Sequence, residues 1–455
     1  MAELRARFRS LDRIAAPDVW ADVEERSAAA APEPLAPVGA PLVLLGRLRP
    51  QDRTLRLLLV VALIVLALIV VALIGGSTRT PGPPRLVFSS SVAGAGRVYA
   101  IDAAGGPAVP IYEGTAYRIH VSPDGSHVIF QGQSDGGLMM SRTDGSARRA
   151  LKDPGEPVLG RAWESIWAPD SHAAAWLSSR ADRQALMIAD AEVGDPRSIE
   201  LALDPDPRLA WAPDSVHLAL LGRTACESTT KRITSIVDTE TGLVLPMGHD
   251  LNAHVGPVWS HHRSRLAGIV AGETETCIRM GRRQLAIWDI ASDTIRSIPL
   301  DVEVIDLAWS PDDRTIWAIS GDLGGPNDLR WIDVETGEMG KIAHLGDGIA
   351  AKWARGGTKV AWIELGAGSS DVADLWTIEL PNGLPRRIAR DIARPGPDGW
   401  PKWSPTDEWI AFYRGPWDGL PDGFHGSIWI VRSDGSDEHV LVDARSSVNL
   451  FEVDW

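Results

Sequence analysis

Trp309-Ser-Pro-Asp312 is one copy of a phrase that recurs as Trp167-Ala-Pro-Asp170, Trp211-Ala-Pro-Asp214 and Trp403-Ser-Pro-Thr406. Looser copies are Val121-Ser-Pro-Asp-Gly125, Trp259-Ser-His-His262 and Trp353-Ala-Arg-Gly356. Trp455, the last residue, is an eighth copy cut where its turn would begin. Counted from Val121 to Trp455, the steps are 46, 44, 48, 50, 44, 50 and 52 residues. A period in that range marks a repeat architecture.

Each unit carries the same signals in the same order. A short strand ends at the Trp. Pro-Asp then supplies a tight turn, because Pro presets φ and Asp bonds its own backbone. An apolar strand follows, as in His127-Val-Ile-Phe130 or Trp409-Ile-Ala-Phe412. A third strand, such as Ala286-Ile-Trp-Asp289 or Leu375-Trp-Thr-Ile-Glu379, runs to an acidic turn, and a weaker fourth closes the unit. Four short strands in 40–50 residues make a propeller blade. The expected fold is all-β, an eight-bladed β-propeller, with seven blades as the alternative. The Trp side chains are expected to fill the gaps between neighbouring blades.

Over residues 85–455 the phrase resembles the repeat of TolB-like and WD-type β-propellers. The resemblance implies a rigid disc with binding faces and implies no single activity. Val121 in place of Trp, and His261-His262 and Arg355-Gly356 in place of Pro-Asp, depart from the pattern.

Four segments divide the chain: a tail over 1–56, an apolar span over 57–75, a spacer over 76–84 and the propeller over 85–455. Phe8, Leu11, Ile14, Val19, Trp20 and Val23 recur at helical spacing, with Pro17 dividing two short helices. Residues 1–31 are therefore either a solvated tail or a helix that docks on a cytoplasmic protein. The phrase from Leu11 to Trp20 resembles tails of bacterial anti-sigma-factor-type membrane proteins, without the His/Cys zinc motif of some members. Residues 57–74 hold 18 consecutive apolar residues, enough for one transmembrane helix. Arg47, Arg49, Arg53 and Arg56 precede the run, against Arg79 and Arg85 after it. The excess predicts a single-pass cell-membrane protein with its N-terminus in the cytoplasm and the propeller outside.

Arg85-Leu-Val-Phe-Ser89 reads as a second strand without a first, and Val453-Asp-Trp455 as a first without a second. The two are expected to share one blade and close the ring, leaving no exposed sheet edge. Seven internal units plus that blade give eight; in a seven-bladed ring, the Trp353 unit would be the one to fail. Cys226 and Cys277 lie 12 residues before Asp238 and Asp289, at matching positions in adjacent units, both in the expected loop between the second and third strands. In an oxidising compartment they are expected to form a disulfide.

Formal net charge is −15, which disfavours nucleic acid as a partner. No Gly-x-Ser-x-Gly elbow, phosphate-binding Gly-rich loop or Cys/His zinc spacing is present. The expectation is a protein that is not an enzyme, with no cofactor and no metal. His249, Asp250, His254, His261 and His262 crowd one junction, but in loops where such residues are ordinary.

The candidate ligand site is the channel. The residues just before each repeat position are His120, Ile166, Ala210, Val258, Ala308, Lys352, Lys402 and Asp454. The polar four become consecutive once the ring closes. Arg118 and Glu452 stand two residues before His120 and Asp454, on the same face by strand alternation. These six residues are either inter-blade ion pairs or a polar rim for an anionic or zwitterionic ligand, with Trp400, Trp417 and Phe424 as loop anchors. The expected function is binding or scaffolding of a protein, peptide or cell-wall glycan. The alternative is a transmembrane sensor whose tail holds a cytoplasmic partner.

Overall fold

The structure, a computed structural model, describes residues 84–92, 95–132, 137–152, 156–158, 167–179, 184–201, 204–226, 229–246, 255–262, 264–271, 283–321, 327–346, 348–365, 372–393, 401–415, 426–443 and 448–455. The tail, the apolar run and the spacer up to residue 83 lie outside them, as do Cys277, Ile166, His249, Asp250, His254, Trp400, Trp417 and Phe424. Among the described residues, no helix is long and apolar enough to cross a membrane.

Eight four-stranded antiparallel sheets follow one another along the chain. In chain order, blades 1 to 7 occupy residues 116–151, 156–201, 204–246, 258–299, 304–346, 348–393 and 402–443. Blade 8 combines residues 85–113 with Val448–Asp454, which pairs with Arg85–Val92 in the register Val87↔Asp454 and Phe88↔Val453. The ring therefore closes as the half-units require. The Trp353 unit forms a complete blade, so the count is eight and the seven-bladed alternative falls.

The core lies in the seams between blades. Val87, Val98, Ala100 and Ile111 of blade 8 cluster with Ala116, Ile119, Val128 and Phe130 of blade 1. Comparable clusters fill the other joints. Trp167, Trp309, Trp403 and Trp455 are all buried. Each indole N–H donates to a backbone carbonyl of the preceding blade: Trp167 to His120, Trp259 to Ala210, Trp309 to Val258, Trp403 to Lys352 and Trp455 to Lys402, at 2.8–3.0 Å. The Trp thus fills the seam and removes the cost of burying its own polar atom.

The turn after each Trp position makes a second fastening. Its fifth residue has positive φ: Gly125, Ser171, Ser215, Asp313, Gly357 and Asp407. Serine and aspartate are strained there. They also bridge blades. Ser171 Oγ accepts Asp124 N–H, and Ser215 Oγ accepts Asp170 N–H. The Asp313 carboxylate accepts His261 and His262 N–H, and that of Asp407 accepts Arg355 and Gly356 N–H. Gly357 has a different reason, since a Cβ there would sit 2.6 Å from Trp309 O.

Two local expectations need correction. In blade 2 the inner strand is Glu156–Val158, and Trp167 makes only an isolated bridge to Ala174. Cys226 is not in a loop but at the end of the strand His217–Cys226, opposite Thr229.

Candidate functional site

The first strand of each propeller blade lies nearest the axis, so in every blade but the second the residue before the Trp position belongs to the channel wall. Along blades 3 to 5 that position is Ala210, Val258 and Ala308, all half-buried. From blade 6 round to blade 1 it is Lys352, Lys402, Asp454 and His120. At this position the wall is thus polar from blade 6 round to blade 1 and apolar along blades 3 to 5.

The six expected residues fall into two groups. Glu452 and Asp454 fasten the closing strand. Glu452 Oε2 accepts Ile119 N–H at 2.8 Å, and Asp454 Oδ2 accepts Val121 N–H at 3.0 Å. Two carboxylates two residues apart thereby stand in for a strand partner along the blade 1 edge. Lys402 Nζ lies 3.6 Å from Asp454 Oδ1 and neutralises it. Lys352 faces Asp306 of blade 5, whose charge partly offsets the fall in the lysine's pKa caused by burial.

Arg118 and His120 stand apart. Alternation does not carry across from one to the other, because the register shifts between Tyr117 and His120. Arg118 occupies this bulge at φ 54° and is exposed. His120 is 7 % exposed, and its Nε2 has no hydrogen-bond partner among the described residues. Burial pushes its pKa down to about 4; Asp454 resists this, while Lys402 and Arg118 add to it. His120 is accordingly a neutral imidazole at pH 7.

Two further residues join the wall. Asp306 lies three residues before Trp309, the offset that also gives Arg118 and Glu452. Its Oδ2 accepts the Trp353 indole N–H at 3.0 Å, replacing the backbone carbonyl used in other seams. Its Oδ1 accepts Leu307 N–H at 2.9 Å, and burial raises its pKa against the pull of Lys352. Applying the three-residue offset to every unit would have found it. Arg355 takes the place of proline in the blade 6 turn. It is exposed to solvent, yet burial by the surrounding protein lowers its pKa while Asp454, Asp407 and Asp124 raise it. Those aspartates belong to blades 8, 7 and 1. Among the described residues, no group of three or more His, Cys, Asp or Glu converges to hold a metal ion.

The chain matches no family model and no curated protein. Solved structures similar to it include TolB of Acinetobacter baumannii, at 15 % identity and TM-score 0.39, covering 75 % of this chain and 81 % of that one. An oligogalacturonate lyase of Vibrio parahaemolyticus has 13 % identity and TM-score 0.49, with 73 % and 95 % covered. Dipeptidyl peptidase 4 of Porphyromonas gingivalis has 11 % identity and TM-score 0.47, with 71 % and 52 % covered. The fold is a β-propeller of eight blades. The expectation that the chain is not an enzyme is corrected: a lyase and a peptidase stand among these structures, so the architecture does not exclude catalysis. The likeness concerns the fold and carries no activity to this chain.

Proposed function

We propose that this chain is a membrane-anchored, extracytoplasmic binding module that holds a protein, peptide or cell-wall glycan at the polar side of its channel. The observation that carries the reading is the one-sided pattern at the position before each repeat Trp, with Lys352, Lys402, Asp454 and His120 adjacent and Ala210, Val258 and Ala308 in blades 3 to 5. A ligand with a charged group and an apolar body matches both sides. The anchor and orientation rest on the apolar run over 57–74 and its flanking arginines. A bridge between Cys226 and Cys277 belongs to the same reading, since an extracytoplasmic compartment permits it.

The test uses a photo-crosslinking residue in the full chain in cells. At Ala308, on the channel wall, it is expected to give a discrete adduct that disappears in Lys352→Met. At Leu384, 85 % exposed on the outer rim, no adduct is expected. Equal capture at both positions, or none at Ala308, counts against the channel. For orientation, Leu384→Cys should react with an impermeant maleimide in intact cells; labelling only after lysis would place the disc inside.

A further inference from the structure

We propose that Arg118 and His120 form the receptor for a single carboxylate group of the ligand, an inference that rests on the channel-binding reading above. Of the non-glycine residues with positive φ, most occupy turns, where the turn itself explains them; two sit within strands, Asp391 in the outer strand Arg386–Ala393 and Arg118 in the inner strand Ala116–Val121. A strained residue inside a strand persists only where its surroundings hold it, and bulges of this kind re-aim a side chain. Here the bulge turns Arg118 out to solvent beside the channel wall. Among the described residues it makes no hydrogen bond or ion pair.

His120 supplies the second, independent feature. Its Nε2 is buried and has no hydrogen-bond partner among the described residues, a state that a ligand or water would relieve. The charged groups facing this ring are Asp454, Lys402 and Arg118. Lys402 and Asp454 neutralise each other, and both Asp454 and Glu452 are taken up by blade 1 amides. The guanidinium and the imidazole N–H are the donors left over.

The charge count selects the ligand. One guanidinium and one neutral imidazole offset one negative charge, and the guanidinium fork matches the two oxygens of a carboxylate. Glu452 and Asp454, each bonded to an amide within two residues of Arg118 or His120, oppose a dianion such as phosphate. The Nε2–H tautomer of His120 donates to the same carboxylate that Arg118 clamps.

The experiment is saturation-transfer NMR on the full-length chain in detergent, with N-acetyl-alanine, its amide and inorganic phosphate as probes. N-acetyl-alanine is expected to bind, with the amide and phosphate at least about tenfold weaker. Arg118→Gln should weaken the acid by about tenfold or more and leave the melting temperature unchanged, because Arg118 is exposed. His120→Gln, which keeps a donor, should retain more affinity than His120→Leu. Equal binding of acid and amide, tighter binding of phosphate, unchanged affinity in Arg118→Gln, or no binding of the acid up to about 10 mM each overturns the carboxylate assignment. If the adduct at position 308 survives while the acid fails to bind, the channel reading stands and only this inference falls.

Discussion

Replacing Trp455 by alanine tests how the ring is held shut. Trp455 is 1 % exposed, and its indole N–H reaches Lys402 O at 3.0 Å. Truncating a buried Trp costs about 3–5 kcal/mol through lost burial and the cavity left behind. The orphaned Lys402 carbonyl adds about 1 kcal/mol. A total of about 5 kcal/mol is a large part of the 5–15 kcal/mol that ordinarily holds a domain together. Trp309→Ala is the matched control, since Trp309 is 2 % exposed and donates to Val258 O at 3.0 Å. The two variants should lose similar stability in urea denaturation. Only Trp455→Ala should also speed hydrogen exchange in Val448–Asp454, because that strand alone joins its blade from the far end of the chain. Trp455→Phe, which keeps most of the volume, should lose about 1–2 kcal/mol. Deleting residues 450–455 also removes Leu450, Val453 and both amide-binding carboxylates, and should unfold the disc. An unchanged urea midpoint for Trp455→Ala, or unchanged exchange in the closing strand, would refute the closure.

His120 predicts a pH dependence. Its pKa falls from an ordinary 6.5 to about 4 on folding, so the unfolded chain binds the proton more readily. Stability from this residue is complete above about pH 6.5 and is lost progressively as pH falls towards 4; the loss reaches about 3 kcal/mol. Melting curves of wild type and His120→Gln should therefore converge as acid is added; parallel curves would show that His120 does not carry the effect. Asp407→Ala removes the acceptor for two amides of blade 6 and should cost about 1–3 kcal/mol in chemical denaturation, while Asp407→Asn, which keeps one acceptor, should cost less. The bridge proposed between Cys226 and Cys277 predicts no free thiol by intact mass after alkylation in protein taken from outside the cytoplasm, and a loss of roughly 3–4 kcal/mol on reduction; two free thiols would refute it.

The fold was legible because its determinants are local and repeated. A Trp followed by Pro-Asp specifies a buried anchor and a tight turn within five residues, and the sequence states this several times over. Closure was legible from two strands that each lacked a partner. The irregular features were not. The bulge at Arg118 is set by pairing with the next strand, and no residue in Tyr117-Arg-Ile-His120 announces it. The inner strand of blade 2 lies well before Trp167, where a strand was expected to run straight into the repeat. Arg355 was visible only as a missing proline, because a departure from a pattern does not show where the new side chain points. Asp306 escaped because Ala308 made its blade look apolar.

The indole contacts bear on how such a disc can diversify. In five seams the acceptor is a main-chain oxygen, and its owners are His120, Ala210, Val258, Lys352 and Lys402. Every amino acid presents that oxygen, so the latch is indifferent to the side chain beside it. The axial lining can therefore be rewritten one position at a time, from alanine to lysine to histidine, while the neighbouring wedge keeps its grip. Recognition and assembly are carried by different atoms of the same residue, which lets one change without the other.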